Sequence, residues 1–154
     1  MNEIDRILDQ IRRAYDGDAW HGPPLRMILD GVSAETASAR PIRDAHSIRE
    51  IVRHVTYWYD GVRRRIGGEV VDPQGVEEWP GVDDAGGAGW RRELADLDRA
   101  HAALLDAVGQ LGVDDLERTT PGKPYSVYIL LHGLVQHNLY HAGQIALLKK
   151  AAVD

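Results

Sequence analysis

The chain contains no cysteine. That excludes disulfide staples, cysteine-ligated zinc and a cysteine nucleophile, so any thiol chemistry must use a sulfur that arrives with a ligand. Phenylalanine is also absent, which leaves leucine, isoleucine, valine, alanine and four tryptophans to fill the interior. No uninterrupted apolar run approaches the ~18 residues that a membrane span requires. The opening stretch MNEIDRILDQ carries acids where a secretory signal would carry basic residues before an apolar run. These absences predict no membrane partner and a cytoplasmic location. Positive charge is in short supply as well: the formal net charge is -6, and the basic residues are scattered among acids. Nucleic acid is therefore not an expected partner. The densest basic spot, RRRI at 63–66, reads as a solvated helix flank.

What the sequence does have is helical periodicity, in a chain whose 154 residues suit one domain, 1–154, around a single core. Ile4, Ile7, Leu8, Ile11 and Tyr15 recur at three- and four-residue steps and predict an amphipathic helix that DGD at 16–18 ends. From Trp20 to Pro41 the prolines and Gly31 allow only short helical turns wrapping a bundle. SIRE at 47–50 fits a capping box, after which Ile48, Ile51, Val55, Trp58, Val62 and Ile66 form an apolar stripe that stops at Gly67 and Gly68. Residues 67–89 hold seven glycines and six acids around Trp79 and Pro80, and predict a long crossover or lid.

A third long helix shows a seam of Trp90, Leu94, Leu97, His101, Leu104, Val108 and Leu111. After the break PGKP at 121–124, Ser126 is a plausible cap for a last helix that runs to about Lys150. Four long amphipathic helices with one long connection predict an all-α fold, a four-helix bundle with a long crossover connection.

Three of the seven histidines fall between His132 and Lys150. Chance alone gives about 0.3 pairs spaced four apart in such a chain, so the HxxxH of His137 and His141 is weak evidence by spacing. Its location carries more. On the last helix the inward steps run Val127, Leu130, Leu134, His137, His141, Ile145 and Leu148, so both imidazoles occupy apolar register. Two buried imidazoles need partners for their nitrogens; a divalent metal satisfies both, and so does a pair of hydrogen-bonded core histidines. His54, on the edge of the second helix between Ile51 and Trp58, is the candidate third ligand, with His101 as its competitor, although its place in the seam of the third helix suits a core histidine better. His132 lies about 200° from the midpoint of the pair and cannot join it. His46, just before the cap, reads as a surface residue. Gln144 returns to the inward side, where it is placed to orient a ligand or to bond a neighbouring helix. Trp20, His21 and Trp79, in connectors, and Trp58, on the stripe, are candidates for a cleft. Three protein nitrogens leave a tetrahedral metal one open position, the arrangement of a catalytic site.

HSIREIVRHVTYWYDGVRRRIGG from His46, LLHGLVQHNLYHAGQIALLKK with its YHAGQI at 140–145, and WHGPPL from Trp20 resemble the DinB-like (DinB/YfiT-like) superfamily of metal-binding four-helix bundles. The resemblance spans about Trp20 to Lys150. It implies a divalent metal, zinc or nickel, held by His54, His137 and His141, and a homodimer. Many members carry Arg where this chain has Ala142, so an anion contact is missing here. The activity implied is a transferase using a low-molecular-weight thiol, such as bacillithiol, mycothiol or glutathione, on a small electrophile. The alternatives are a metal-dependent hydrolase, for which Glu69, Glu77 and Glu78 in the loop give no evident general base, and a bundle that binds metal or only packs, without turnover.

Overall fold

The computed structural model describes residues 1–152, and these fold into helices joined by irregular connections, with one isolated bridge between Thr119 and Ser126. The α-helices are α1 (Glu3–Tyr15), α2 (Leu25–Leu29), α3 (Ala34–Ser38), α4 (Ile48–Ile66), α5 (Gly87–Gly109) and α6 (Val127–Ala151), with 3-10 turns at Val76–Glu78 and Val113–Glu117. Among the described residues no helix is long and apolar enough to cross a membrane.

Three of the four long helices start where a side chain accepts from their free amides, whereas α5 follows Gly86 without such a cap. Ser47 Oγ accepts from the Glu50 amide at 3.2 Å while Glu50 Oε2 accepts from the Ser47 amide at 2.7 Å, so the predicted capping box opens α4. Asn2 and Asp5 form a second such box on α1, and Ser126 caps α6. The predicted stripe of α4 is buried at Ile48, Ile51, Val55, Val62 and Ile66, and Gly68 leaves the helix at a φ of 99°, a conformation open to glycine.

The helices α4 and α1 each pack against both α5 and α6, so α1 faces α4 across one diagonal of the bundle and α5 faces α6 across the other. Directions follow from which residues meet. Arg49 and Arg53 of α4 reach Glu93 of α5, and Tyr59 lies against His101 further along both, so α4 and α5 run the same way. In α6 the order is reversed: His54 sits beside His141, while Val62 shares a groove with Leu134. The helix α1 opposes α5, because Tyr15 bonds Asp98 whereas Ile11 lies against His101.

Two parallel neighbours cannot be joined by a tight turn. The α4 helix is 19 residues long, which at ~1.5 Å per residue puts its ends ~28 Å apart. Residues 67–86 cover that distance by folding back along α4: Arg65 donates to the Val71 carbonyl at 2.6 Å, Trp58 to the Glu78 carboxylate at 3.2 Å, and Arg49 to the Ala85 carbonyl at 2.7 Å. The connection is shorter than the predicted 67–89, since Gly87 to Gly89 already belong to α5. Gly89 is needed there, because a Cβ would collide with the Asp84 carbonyl and the Arg49 guanidinium. Arg65 is likewise buried, so the RRRI stretch is not the solvated flank that its charge predicts; only Arg63 and Arg64 pair with acids near the surface.

Candidate metal centre

His54 comes from the middle of α4, and His137 and His141 come from adjacent turns of α6, which passes antiparallel beside it. Ligand-capable atoms of the three imidazoles all lie within 4.8 Å of one another. His54 and His141 are buried, and His137 is half-buried. The nearest approach is His54 Nε2 to His137 Nε2, at 3.0 Å.

Hydrogen bonds on the far side of two rings fix which nitrogen faces inward. His54 Nδ1 donates to the Glu78 carbonyl at 2.7 Å, and His141 Nδ1 donates to Gln144 Oε1 at 2.7 Å. Both rings therefore turn an Nε2 lone pair toward the cluster, in the manner of imidazoles bound to a metal and oriented from behind. Burial is the main cause that pushes the pKa of all three histidines down. For His137 the neighbouring His141 and His54 add to it, and the value falls to about 3. The rings are neutral near pH 7, with lone pairs free to bind a cation.

The donor set fits a divalent metal. Nitrogen ligands at ~2.0–2.1 Å from a tetrahedral ion stand about 3.3 Å from one another, within the range that these atoms already span. A single shared proton joins only two of the nitrogens, whereas a cation serves all three. Three protein donors leave one coordination position for a small molecule.

The segment after α4 completes the site. Trp79 is stacked between His54, with ring centroids 3.9 Å apart and planes 10° apart, and His46, at 3.6 Å and 8°. Its neighbour Glu78 takes the His54 proton donor with its carbonyl and the Trp58 indole with its carboxylate. Glu78 at the end of the 3-10 turn thus holds the ring of His54 by its edge, and Trp79 just after it holds the face. His46, expected at the surface, is half-exposed yet committed to this stack. Trp58 meets both His54 and His137 edge-on.

Of the other candidates, Gln144 bonds His141 directly. Ala142 is buried and offers no polar contact. His132 packs on Tyr128, away from the cluster. His101 is not a rival ligand: it stacks on Tyr15 at 3.8 Å, on the α1 side of α5. Nor do Trp20 and His21 cover the cleft. Arg13 Nη1 donates to the Asp18 carbonyl at 2.6 Å and draws that connector along α1, leaving Trp20 fully exposed in a groove shared with Asp9, Gln10 and Leu139. Sequence reading missed the reach of Glu78; a tryptophan amid glycines and acids, outside any helical register, was the available hint that this segment docks.

Two grooves flank the imidazoles. One of about 330 Å³ ends on His137 between α4 and α6, with Trp58, Tyr125 and Leu134 in its walls. The other, of about 430 Å³, is lined by His46, Trp79, His141 and Gln144 among others. Because Gln144 orients His141, Gln144→Ala is expected to weaken metal affinity about 10–100-fold, measured by chelator competition, with metal-free stability little changed. An affinity equal to wild type would show that this bond does not orient a ligand.

The profile of the DinB superfamily matches residues 20–145, most of the chain. No curated protein matches the chain, and no solved structure does. With the bundle, the three convergent imidazoles and that match taken together, the chain belongs to the DinB superfamily.

Proposed function

We propose that the protein is a metal-dependent transferase that joins a low-molecular-weight thiol to a small electrophile. The observation that supports this most is the convergence of three neutral imidazole nitrogens beside an apolar groove, in a chain with no sulfur nucleophile of its own. A divalent cation in that site, zinc or nickel, supplies Lewis acidity that favours the deprotonated form of a thiol. The protein's part is to position and to exclude water. Glu78 and Gln144 hold the lone pairs of His54 and His141 inward, and Trp58 and Trp79 pack the rim of the cluster. In the reaction the thiol sulfur forms a bond to an electrophilic carbon as a carbon–halogen or carbon–oxygen bond breaks. A halide departs with the bonding pair and the thiol proton passes to solvent, whereas an epoxide oxygen keeps the pair, stays on the product and takes up a proton.

Metal-loaded protein is expected to consume glutathione, bacillithiol or mycothiol in the presence of an epoxide or aryl halide, and to stop when a chelator removes the metal. Absence of consumption across all three thiols overturns the reading. A second reading, a hydrolase, draws support from the Glu78 carboxylate, which accepts from the Trp58 indole and whose charge acts on His54. It predicts metal-dependent cleavage of an activated ester with no thiol present.

A further inference from the structure

The groove that ends on His137 has walls unlike those of any ordinary solvent-filled crease. Trp58 and Val62 of α4 face Leu130, Gly133 and Leu134 of α6 across it, and Tyr125 stands at the α6 entrance. None of its lining residues is charged. The neighbouring groove on the His141 side, by contrast, includes Asp44, His46 and Gln144.

Both aromatic walls are fastened from behind. The Arg65 guanidinium lies 4.9 Å from the centroid of Trp58, its Nη1 donates to the Tyr125 hydroxyl at 3.4 Å, and its Nε and Nη2 donate to the Val71 carbonyl. Arg65 is buried, each of its guanidinium nitrogens donates to one of these partners, and it is not among the residues that line the groove. The Trp58 indole N–H is held by the Glu78 carboxylate. Rings fixed in this way present a preformed apolar surface to a ligand at little ordering cost.

Gly133 keeps the space open. It sits inside α6, where glycine is unfavourable relative to alanine. A Cβ added there meets no heavy atom within 4 Å. Neither a tight helix contact nor a positive φ requires the glycine. What its missing side chain supplies is room beside His137.

We infer that this groove is the binding site for an uncharged aromatic or alicyclic group, one that brings its reactive atom to the His137 end. A charged group would lose its hydration there and meet no charged side chain among the lining residues. A volume of about 330 Å³ matches a small ring system with short substituents. Assigning that group to the electrophile rests on the transferase reading; the existence of the ring site does not.

The test uses the metal-loaded protein and three fluorine-labelled probes followed by 19F NMR: fluorobenzene, 4-fluorobenzenesulfonate and 4-fluorophenyltrimethylammonium. Fluorobenzene is expected to bind saturably and the ammonium probe not to, while any binding of the sulfonate through the metal's open position should be unchanged in Gly133→Leu. Gly133→Leu, which improves helix propensity and fills open space, is expected to weaken fluorobenzene binding about tenfold or more while metal content stays at the wild-type level. Equal binding of the ammonium probe, or unchanged fluorobenzene affinity in Gly133→Leu, overturns the site. So does a result in which Gly133→Leu changes only the oligomeric state, which would make the groove a contact between two copies of the chain. No thiol is present, so the outcomes separate. Fluorobenzene binding without thiol consumption leaves the ring site standing and removes the transferase reading. Thiol consumption with no ring binding does the reverse.

Discussion

Alanine in place of His137 is expected to lower divalent-metal affinity by more than about 100-fold, beyond the effect of losing an orienting partner such as Gln144. Elemental analysis after dialysis should then find metal in the wild-type protein and next to none in the variant. The size of the effect follows from the donor count: with His137 gone, two imidazoles remain, one from each of two helices, and the His54 Nε2 loses its nearest neighbour. Stability supplies a second readout. A metal present at a thousand times its dissociation constant stabilises the folded state by about 4 kcal/mol, which raises the melting temperature of a chain this size by about 10 °C. His137→Ala should gain none of that. The metal-free variant should melt close to metal-free wild type, because His137 already carries a buried Nδ1 with no hydrogen-bond partner. A variant that keeps its metal and its metal-dependent rise in melting temperature would remove His137 from the site.

Glu93→Ala should be among the most damaging single changes to the fold itself. Arg49 is 1 % exposed at its side chain, and its Nε donates to Glu93 Oε2 at 2.7 Å, while Arg53 donates to the other carboxylate oxygen at 2.9 Å. Arg49 also holds the carbonyls of Asp84 and Ala85, where the long connection turns into α5. Removing the carboxylate leaves a buried guanidinium without its counter-ion, a loss of about 3–5 kcal/mol, or roughly 10 °C in melting temperature. Thermal unfolding of metal-free protein measures it. Replacing both partners with apolar residues, Arg49→Met with Glu93→Leu, should recover part of the loss, since no charge is then stranded. A loss below about 1 kcal/mol in Glu93→Ala would mean that solvent reaches this pair in solution.

Much of this arrangement was legible before any coordinates. Helix α4 announces its start through Ser47 and Glu50 and its end through Gly67 and Gly68, because capping and glycine effects are local and leave a local trace. The inward placement of His137 and His141 follows from the period of the helix alone. The choice between His54 and His101 was not legible in periodicity, since each sits on or beside an apolar stripe. What separates them is which helices are neighbours: α6 packs against α4 and lies diagonally across from α5, so an α4 histidine reaches the pair and the α5 histidine stacks on Tyr15 of α1.

The docking of Glu78 and Trp79 was illegible for a related reason. Their segment has no repeating pattern, and its course is dictated by the parallel run of α4 and α5, a property of the assembled bundle. The burial of Arg65 belongs to the same class. Three consecutive arginines read as a charged surface, yet one of them faces Trp58 and the Val71 carbonyl once the chain folds back.

The central proposition is that one divalent cation is held by three imidazoles from two helices. X-ray absorption at the metal edge, on protein purified without an affinity tag, addresses it most directly. A first shell at ~2.0–2.1 Å is expected, with outer-shell scattering from three imidazole rings that falls to two in a His54→Ala protein reconstituted with excess metal. A spectrum with oxygen donors only, or one that is the same in wild type and His54→Ala, would contradict it.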